Sequence, residues 1–249
     1  MNQLVRTELL KQRTTRVPLA GICAAPIAAA LITFAILTLS GKDGNDPLGP
    51  DSLVQIIGAP AGVITVIAVL LGVLGMAGEY RHHTITTTFL ATPRRRDVVI
   101  AKIIAHALIG AVMGLLALTV SAAIAVPWLL SSGIDVPLNG DLVLVAAGLI
   151  VLTALYGALG VSIGAIVRNQ TTAAAVVLVW LLAIEGFIGD LFHDTSFVEW
   201  LPAAAGRALV HIGPNADGLG APAAAGVFAI YVAGFAFAGI RLTLDRDIS

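Results

Sequence analysis

The sequence predicts an all-α membrane protein with six transmembrane helices, and three observations carry that prediction. The 249 residues are 58% hydrophobic and only 12% charged, and their mean hydropathy of +0.96 lies far outside the range of a soluble globular domain. Six apolar windows, at 17–39, 53–77, 98–126, 142–167, 171–188 and 221–242, each reach the roughly 17 residues that a helix needs to cross a hydrocarbon layer of about 30 Å. The 14 Lys and Arg residues are unevenly shared between alternate connections. Arg6, Lys11, Arg13, Arg16, Arg81, Arg94, Arg95, Arg96, Lys102, Arg168, Arg241 and Arg246 fall on one side, and the other receives Lys42 and Arg207. By the positive-inside rule both termini are then cytoplasmic. A net charge of -1 argues against a nucleic-acid binder, which needs a clear excess of cations.

Residues 1–16 read as a modestly amphipathic helix, with Met1, Val5 and Leu9 four apart among basic neighbours, suited to the headgroup layer. Pro18 marks the entry into the first window. That window is no signal peptide, because its apolar run is too long and no cleavage site follows. The single cysteine, Cys23, cannot form an internal disulfide and reads as a packing residue. The stretches GKDGNDPLGP (41–50) and SSGIDVPLNGD (131–141) are short external turns.

The connection at 186–220 is long and apolar. Ser196 and Glu199 have the spacing of a capping box and Gly213 with Pro214 supplies a stop, so short helices are expected there. Phe187, Phe192, Phe197 and Trp200 favour the outer interface.

Several lookalikes of chemistry have a plainer reading. Gly58 and Gly62, Gly110 and Gly114, and Gly160 and Gly164 are small pairs that let helix backbones approach. GVSIG (160–164) matches a nucleophile-elbow pattern by letter, but it lies inside a span with no base near it, so packing is expected. His82 and His83, adjacent on a helix, face different sides and find no further ligands at metal spacing, so the expectation is no metal. His106 and Glu185 are the nearest approaches to intramembrane charge, and both are expected close enough to an interface to be solvated. Sparse polarity of this kind weakens an ion-coupled mechanism.

The connection GEYRHHTITTTFLATPRRRD (78–97) gathers the charge that the spans lack. Arg81, Arg94, Arg95 and Arg96 must stay in water or headgroups, since a cation at the bilayer centre costs about 2.5 to 3.5 kcal/mol. Ile85 and Phe89 stand four apart with Leu90 beside them, which gives a short helix an apolar edge. Thr92 and Pro93 mark a break, and a helix running from there to position 126 is about 50 Å long, more than a bilayer needs. Anionic lipids account for the arginines. They do not account for Glu79, the threonine run or the apolar edge.

This stretch resembles the signature of permease subunits of the ABC-2 type transporters, an ATP-binding-cassette exporter family: Glu79-Tyr80-Arg81, Thr84-Ile85, Leu90 with Pro93 three on, an arginine at 95 or 96, and Ala101-Lys102. His83 stands where relatives usually place glycine. The likeness extends over essentially the whole chain, 1–249, as one bacterial ABC-2 type transmembrane domain with an interfacial helix at 1–16, a cytoplasmic loop at 78–97 and re-entrant outer helices within 186–220. It implies that 81–90 is a coupling helix docking in a separate ATPase subunit, and that Glu79, Arg81, His82, Thr84, Ile85, Thr86, Phe89, Arg94, Arg95 and Arg96 serve that coupling. Glu79 is expected to pair with an arginine of the N-terminal helix or of the loop. ATP and Mg would be bound by the partner ATPase; the sequence agrees, since no G-x-x-x-x-G-K-[ST] phosphate loop occurs in it. A second permease copy or a homologous permease, and membrane lipids, complete the expected partners.

The resemblance implies no enzymatic residue in this chain. Phe34, Thr38, Thr65 and Val66 are candidate pathway residues for an amphipathic or hydrophobic substrate. An ion-coupled secondary transporter, or a noncatalytic anchor or immunity subunit, are the other classes the sequence leaves open.

Overall fold

The computed structural model describes residues 1–42, 47–82, 84–91, 94–136, 138–192, 196–210 and 219–245. Among them every regular element is helical. Helix α1 (Asn2–Thr14) leads into α2 (Arg16–Leu39). Helices α3 (Ser52–Gly58) and α4 (Ala61–Arg81) form one 30-residue span interrupted at Pro60, whose missing N–H leaves the carbonyl one turn earlier without its helical donor. Then come α5 (Thr84–Ala91), α6 (Arg95–Ser131) and α7 (Gly140–Val167). The next span is α8 (Gln170–Val179), a π turn (Trp180–Ile184) and α9 (Glu185–Leu191). A 3₁₀ turn (Ser196–Trp200) and α10 (Pro202–Leu209) precede α11 (Ala221–Asp245).

Six helical segments are long and apolar enough to cross a membrane, in agreement with the six windows. Two boundaries differ from the sequence reading. Helix α4 runs on to Arg81, so Glu79 belongs to the end of a span rather than to a loop. Helix α6 continues through Pro127 to Ser131, 37 residues and about 55 Å. It ends where Gly133 takes φ +73°, a conformation without a Cβ penalty, and Ile134 N–H bonds back to the Leu129 carbonyl.

Helix α7 is the central post, packed on α4, α6 and α11. Its apolar character on all sides suits burial on all sides. Close approach comes from small residues: a Cβ on Gly160 would collide with the Val69 carbonyl of α4, and one on Gly110 of α6 with the Thr153 carbonyl of α7. The pairs Gly110/Gly114 and Gly160/Gly164 therefore pack helices together, and Ser162 of the GVSIG stretch donates to its own helix at the Ala158 carbonyl (2.9 Å). The pair Gly58/Gly62 does not behave this way, since Gly62 is exposed with nothing near it. Cys23 is likewise exposed, on the outer side of α2, so the packing role expected for it is corrected.

Helix α1 docks on α6 and α2, and α5 on α4 and α6. Arg168, in the left-handed region at φ 59°, ends α7. Its Nη2 donates to the Leu242 carbonyl near the end of α11 (2.7 Å), and its guanidinium stands 5.2 Å from the centre of the Tyr80 ring on α4. These contacts gather α1, α5 and the end of α11 at one end of the bundle, the terminal face.

Candidate functional site

The terminal face carries a buried ion cluster that joins three helices. Lys102 of α6, 1% exposed, donates from Nζ to Glu8 Oε2 of α1 and to Glu79 Oε1 of α4, both at 2.7 Å. The Gly75 carbonyl lies 3.5 Å away. Lys11 adds bonds to Glu8 Oε1 (2.9 Å) and Glu79 Oε1 (3.2 Å). Two ammonium groups thus meet two carboxylates, and the set is neutral, which is the condition for burying charge at tolerable cost.

Burial pushes the Glu8 carboxyl up, but the Lys102 charge and hydrogen bond, aided by Lys11, outweigh it and hold the group below its ordinary value. Burial pushes Lys11 down, and its bonds to Glu8 and Glu79 outweigh that, holding it above its ordinary value. One turn along α6 from Lys102, His106 is buried with Nδ1 2.9 Å from the Lys102 carbonyl. A carbonyl oxygen only accepts, so Nδ1 carries the proton. Nε2 and Glu79 Oε2 then have no partner among the described residues.

One expectation is corrected here. Glu79 pairs with lysines, one of them Lys11 of the N-terminal helix, and not with an arginine. Helix α1 is held to the bundle by Glu8, its buried residue, with Leu9 packed against the core beside it. Sequence reasoning missed Glu8, and it singled out Lys102 and His106 without joining either to Glu79. The available signal was that Glu8 is the only acidic residue before Asp43, and that Lys102 and His106 stand four apart inside an apolar window.

Helix α5 is pinned by Ile85, buried with Met76, Val98, Val99, Val161 and Ala165. Leu90 is 78% exposed, so the apolar edge does not include it on the buried side. Arg81, His82, Thr84, Thr86, Arg94 and Arg96 are exposed, and Arg95 is half-buried. His83, Thr92 and Pro93 lie outside the described residues, as does the side chain of Phe89.

A second polar centre lies away from the terminal face. Glu185, expected to be solvated, is 2% exposed. Its Oε2 accepts from Trp180 Nε1 (3.1 Å), and its Oε1 accepts from the backbone N–H groups of Ala203 and Ala204 (3.0 Å for the latter). The π turn makes the first bond possible: the Glu185 N–H closes onto the Trp180 carbonyl, so residues five apart come onto one side. The other two bonds satisfy orphan donors at the start of α10, which Pro202 opens. Helix α10 lies deep along α7, with Gly206 against Leu152 and Tyr156. Tyr156 stands about 24 Å along α7 from Gly140. The proposed capping box at Ser196 and Glu199 is occupied instead by a 3₁₀ turn, the Ser196 side chain and the Gly213-Pro214 stop lying outside the described residues.

Among the four pathway candidates, Thr65 and Val66 line a cavity of about 510 Å³ between α4, α7, the π turn and α10. Phe34, 54% exposed, stacks edge-on against Trp128 at 6.2 Å, and Thr38 bonds within its own helix. These two do not join the other pair. No group of His, Cys, Asp and Glu among the described residues has the arrangement of a metal site.

Residues 17–192 match the family described as ABC-2 family transporter protein. The chain belongs to that family. The match takes in the first five of the six candidate spans and the α5 segment between the second and third. Membership implies association with a membrane and with an ATP-binding-cassette ATPase, and identifies this ABC-2 protein as a transport component. No curated protein matches the chain.

Proposed function

We propose that this ABC-2 family chain is the permease half of an ATP-driven exporter in a bacterial plasma membrane, with both termini cytoplasmic. Two copies, or this chain and a homologous permease, form the transport unit, and separate ATPase subunits bind the ATP and Mg. The exposed face of α5, with Arg81, His82, Thr84, Thr86, Arg94 and Arg96 around it, is the docking surface for the ATPase, with α1 alongside as an interfacial helix. The 186–220 connection is a re-entrant region on the outer side, a reading supported by the course of α10 along α7. The cargo is an amphipathic or hydrophobic molecule. No residue of this chain acts in hydrolysis.

The observation that carries this reading is the geometry of the terminal face in a family member. Among the described side chains of α5, Ile85 is the one buried in the bundle, while Thr84 and Thr86 are exposed. Directly behind it the ion cluster ties α1, α4 and α6 into one rigid joint. A push on α5 would thereby reach two spans at once, which is what a two-state rearrangement of rigid elements requires.

Copurification from membranes is expected to bring a stoichiometric ATPase subunit with the chain, and its hydrolysis is expected to fall several-fold in coupling to transport in Glu79→Ala and Arg81→Ala membranes. Arg81 is exposed, so its removal leaves the fold in place. Full coupling in both variants, or a chain that always purifies alone, argues for a noncatalytic anchor or immunity subunit.

One structural observation favours a second reading. The expectation that the spans hold almost no buried ionisable group does not stand, since Lys102, His106 and Glu185 are all buried. Such groups are the raw material of an ion-coupled transporter. Transport that survives ATP depletion but stops when the ion gradient is collapsed selects that mechanism.

A further inference from the structure

The cavity between α4, α7, the π turn and α10 combines apolar walls with two polar side chains, the buried Tyr156 and the exposed Arg207. Leu152, Leu181, Leu182 and Val210 supply apolar lining. Tyr156 is 3% exposed, its ring packed at 4.7 Å from Phe228, and its hydroxyl, which reaches within contact range of Gly206, bonds to no described residue. Arg207 projects from the last turn of α10 into the same lining. Arg207 makes no ion pair within 4 Å among the described residues, but it stands near enough to Glu185 to feel its charge. Glu185, the nearby carboxylate, has its oxygens committed to three N–H donors.

Arg207 is exposed and lines the cavity, so its guanidinium is within reach of a ligand entering beside the apolar walls. Its planar fork suits phosphate or carboxylate, which accept two parallel N–H bonds. The hydroxyl of Tyr156, which lines the same space, adds a third donor. The volume of about 510 Å³ falls in the range of small-molecule sites, and exposed Leu182 and Val63 at its edge give it an apolar rim.

We propose that this cavity binds an amphiphile with a single anionic head, phosphate or carboxylate, the head held by Arg207 and the Tyr156 hydroxyl and the chain lying against Leu152, Leu181 and Leu182. The site selects by head charge through Arg207, and Thr65 and Val66 form the wall opposite α10. For the word substrate the inference rests on the transport reading, whereas binding stands on the cavity alone.

The test is equilibrium binding to the full chain purified in neutral maltoside detergent, read by the change in tryptophan emission, to which Trp180, next to the lining residue Leu181, contributes alongside Trp128 and Trp200. Dodecyl phosphate is expected to bind and dodecyltrimethylammonium not to. Arg207→Gln should weaken dodecyl phosphate about tenfold or more, Arg207→Lys less, and Tyr156→Phe, which keeps the ring packing, about threefold. In nanodiscs of neutral lipid, competition by added diacyl phosphatidic acid identifies a bilayer lipid as the source of the head, and its absence identifies a free single-chain amphiphile. Equal binding of the cationic probe, or undiminished phosphate binding in Arg207→Gln, overturns the proposal. Charge-selective binding by a chain that moves nothing with ATP instead overturns the transport reading and leaves the site standing.

Discussion

Among the described residues, carboxylates lie buried or half-buried in two places and are held by different means. At the terminal face, Glu8 and Glu79 meet the ammonium groups of Lys11 and Lys102. Beside α10, Glu185 accepts from three N–H groups, two from the backbone and one from an indole, with the Arg207 charge nearby but no ion pair. The first arrangement draws on residues 8, 11, 79 and 102 and locks three helices together; the second fastens one short helix to one span. The difference shows how much rigidity each site needs. A joint of full charges fails as a whole when one member is lost, because a partner is left charged and buried. A dipole cap loses only the donors it served.

Breaking the joint at its centre should therefore have the largest effect. Lys102→Met leaves Glu8 and most of Glu79 without their buried cation, and is expected to destabilise the purified protein by about 3 to 5 kcal/mol in denaturant unfolding. Adding Glu8→Gln to that variant should recover part of the loss, and a strictly additive double variant would show that the groups do not act as a set.

Removing the dipole cap should cost less. Glu185→Ala strands the N–H groups of Ala203 and Ala204, worth about 1 to 3 kcal/mol, and should raise hydrogen exchange in 202–209 while leaving 2–14 protected. Glu185→Gln keeps an acceptor oxygen and should lie nearer the parent. A loss in the Gln variant as large as in the Ala variant would mean that charge, and not acceptance, holds α10.

The smallest effect separates the two regions by pH. Glu8 has a lowered folded-state pKa, so its contribution is full above the ordinary 4.5 and is lost as pH falls through the lowered value. Lys11 has a raised one, so its contribution is full below the ordinary 10.5 and is lost as pH rises through the raised value. Protection of 2–14 against hydrogen exchange is expected to be flat between those limits and to fall only beyond them. Lys11 is 41% exposed at its side chain, so the alkaline loss should be the weaker of the two. Loss of protection near neutral pH would place another group in control of the joint.

Much of this molecule was legible in the residues alone. Span number and approximate position follow from hydropathy, because a bilayer demands long apolar helices whatever their neighbours are. The glycine pairs at 110/114 and 160/164 were recognisable as contacts, and the charged segment at 78–97 as something more than a turn. The family was legible too, since the spacing of Glu79, Arg81, Ile85 and Lys102 survives in one dimension.

Tertiary structure alone decided which polar groups were paired. Nothing in sequence relates Glu8 to Lys102, 94 positions apart, or Glu185 to the N–H groups of α10. Their burial depends on helices that cross the bundle at chosen depths, and a depth is set by packing against α7, not by local propensity. The same holds for the cavity, where Thr65 and Val66 meet Tyr156 and Arg207 only because α10 lies deep beside α7. Hydropathy is a property each residue carries by itself; a charge partner exists only once the chain has folded.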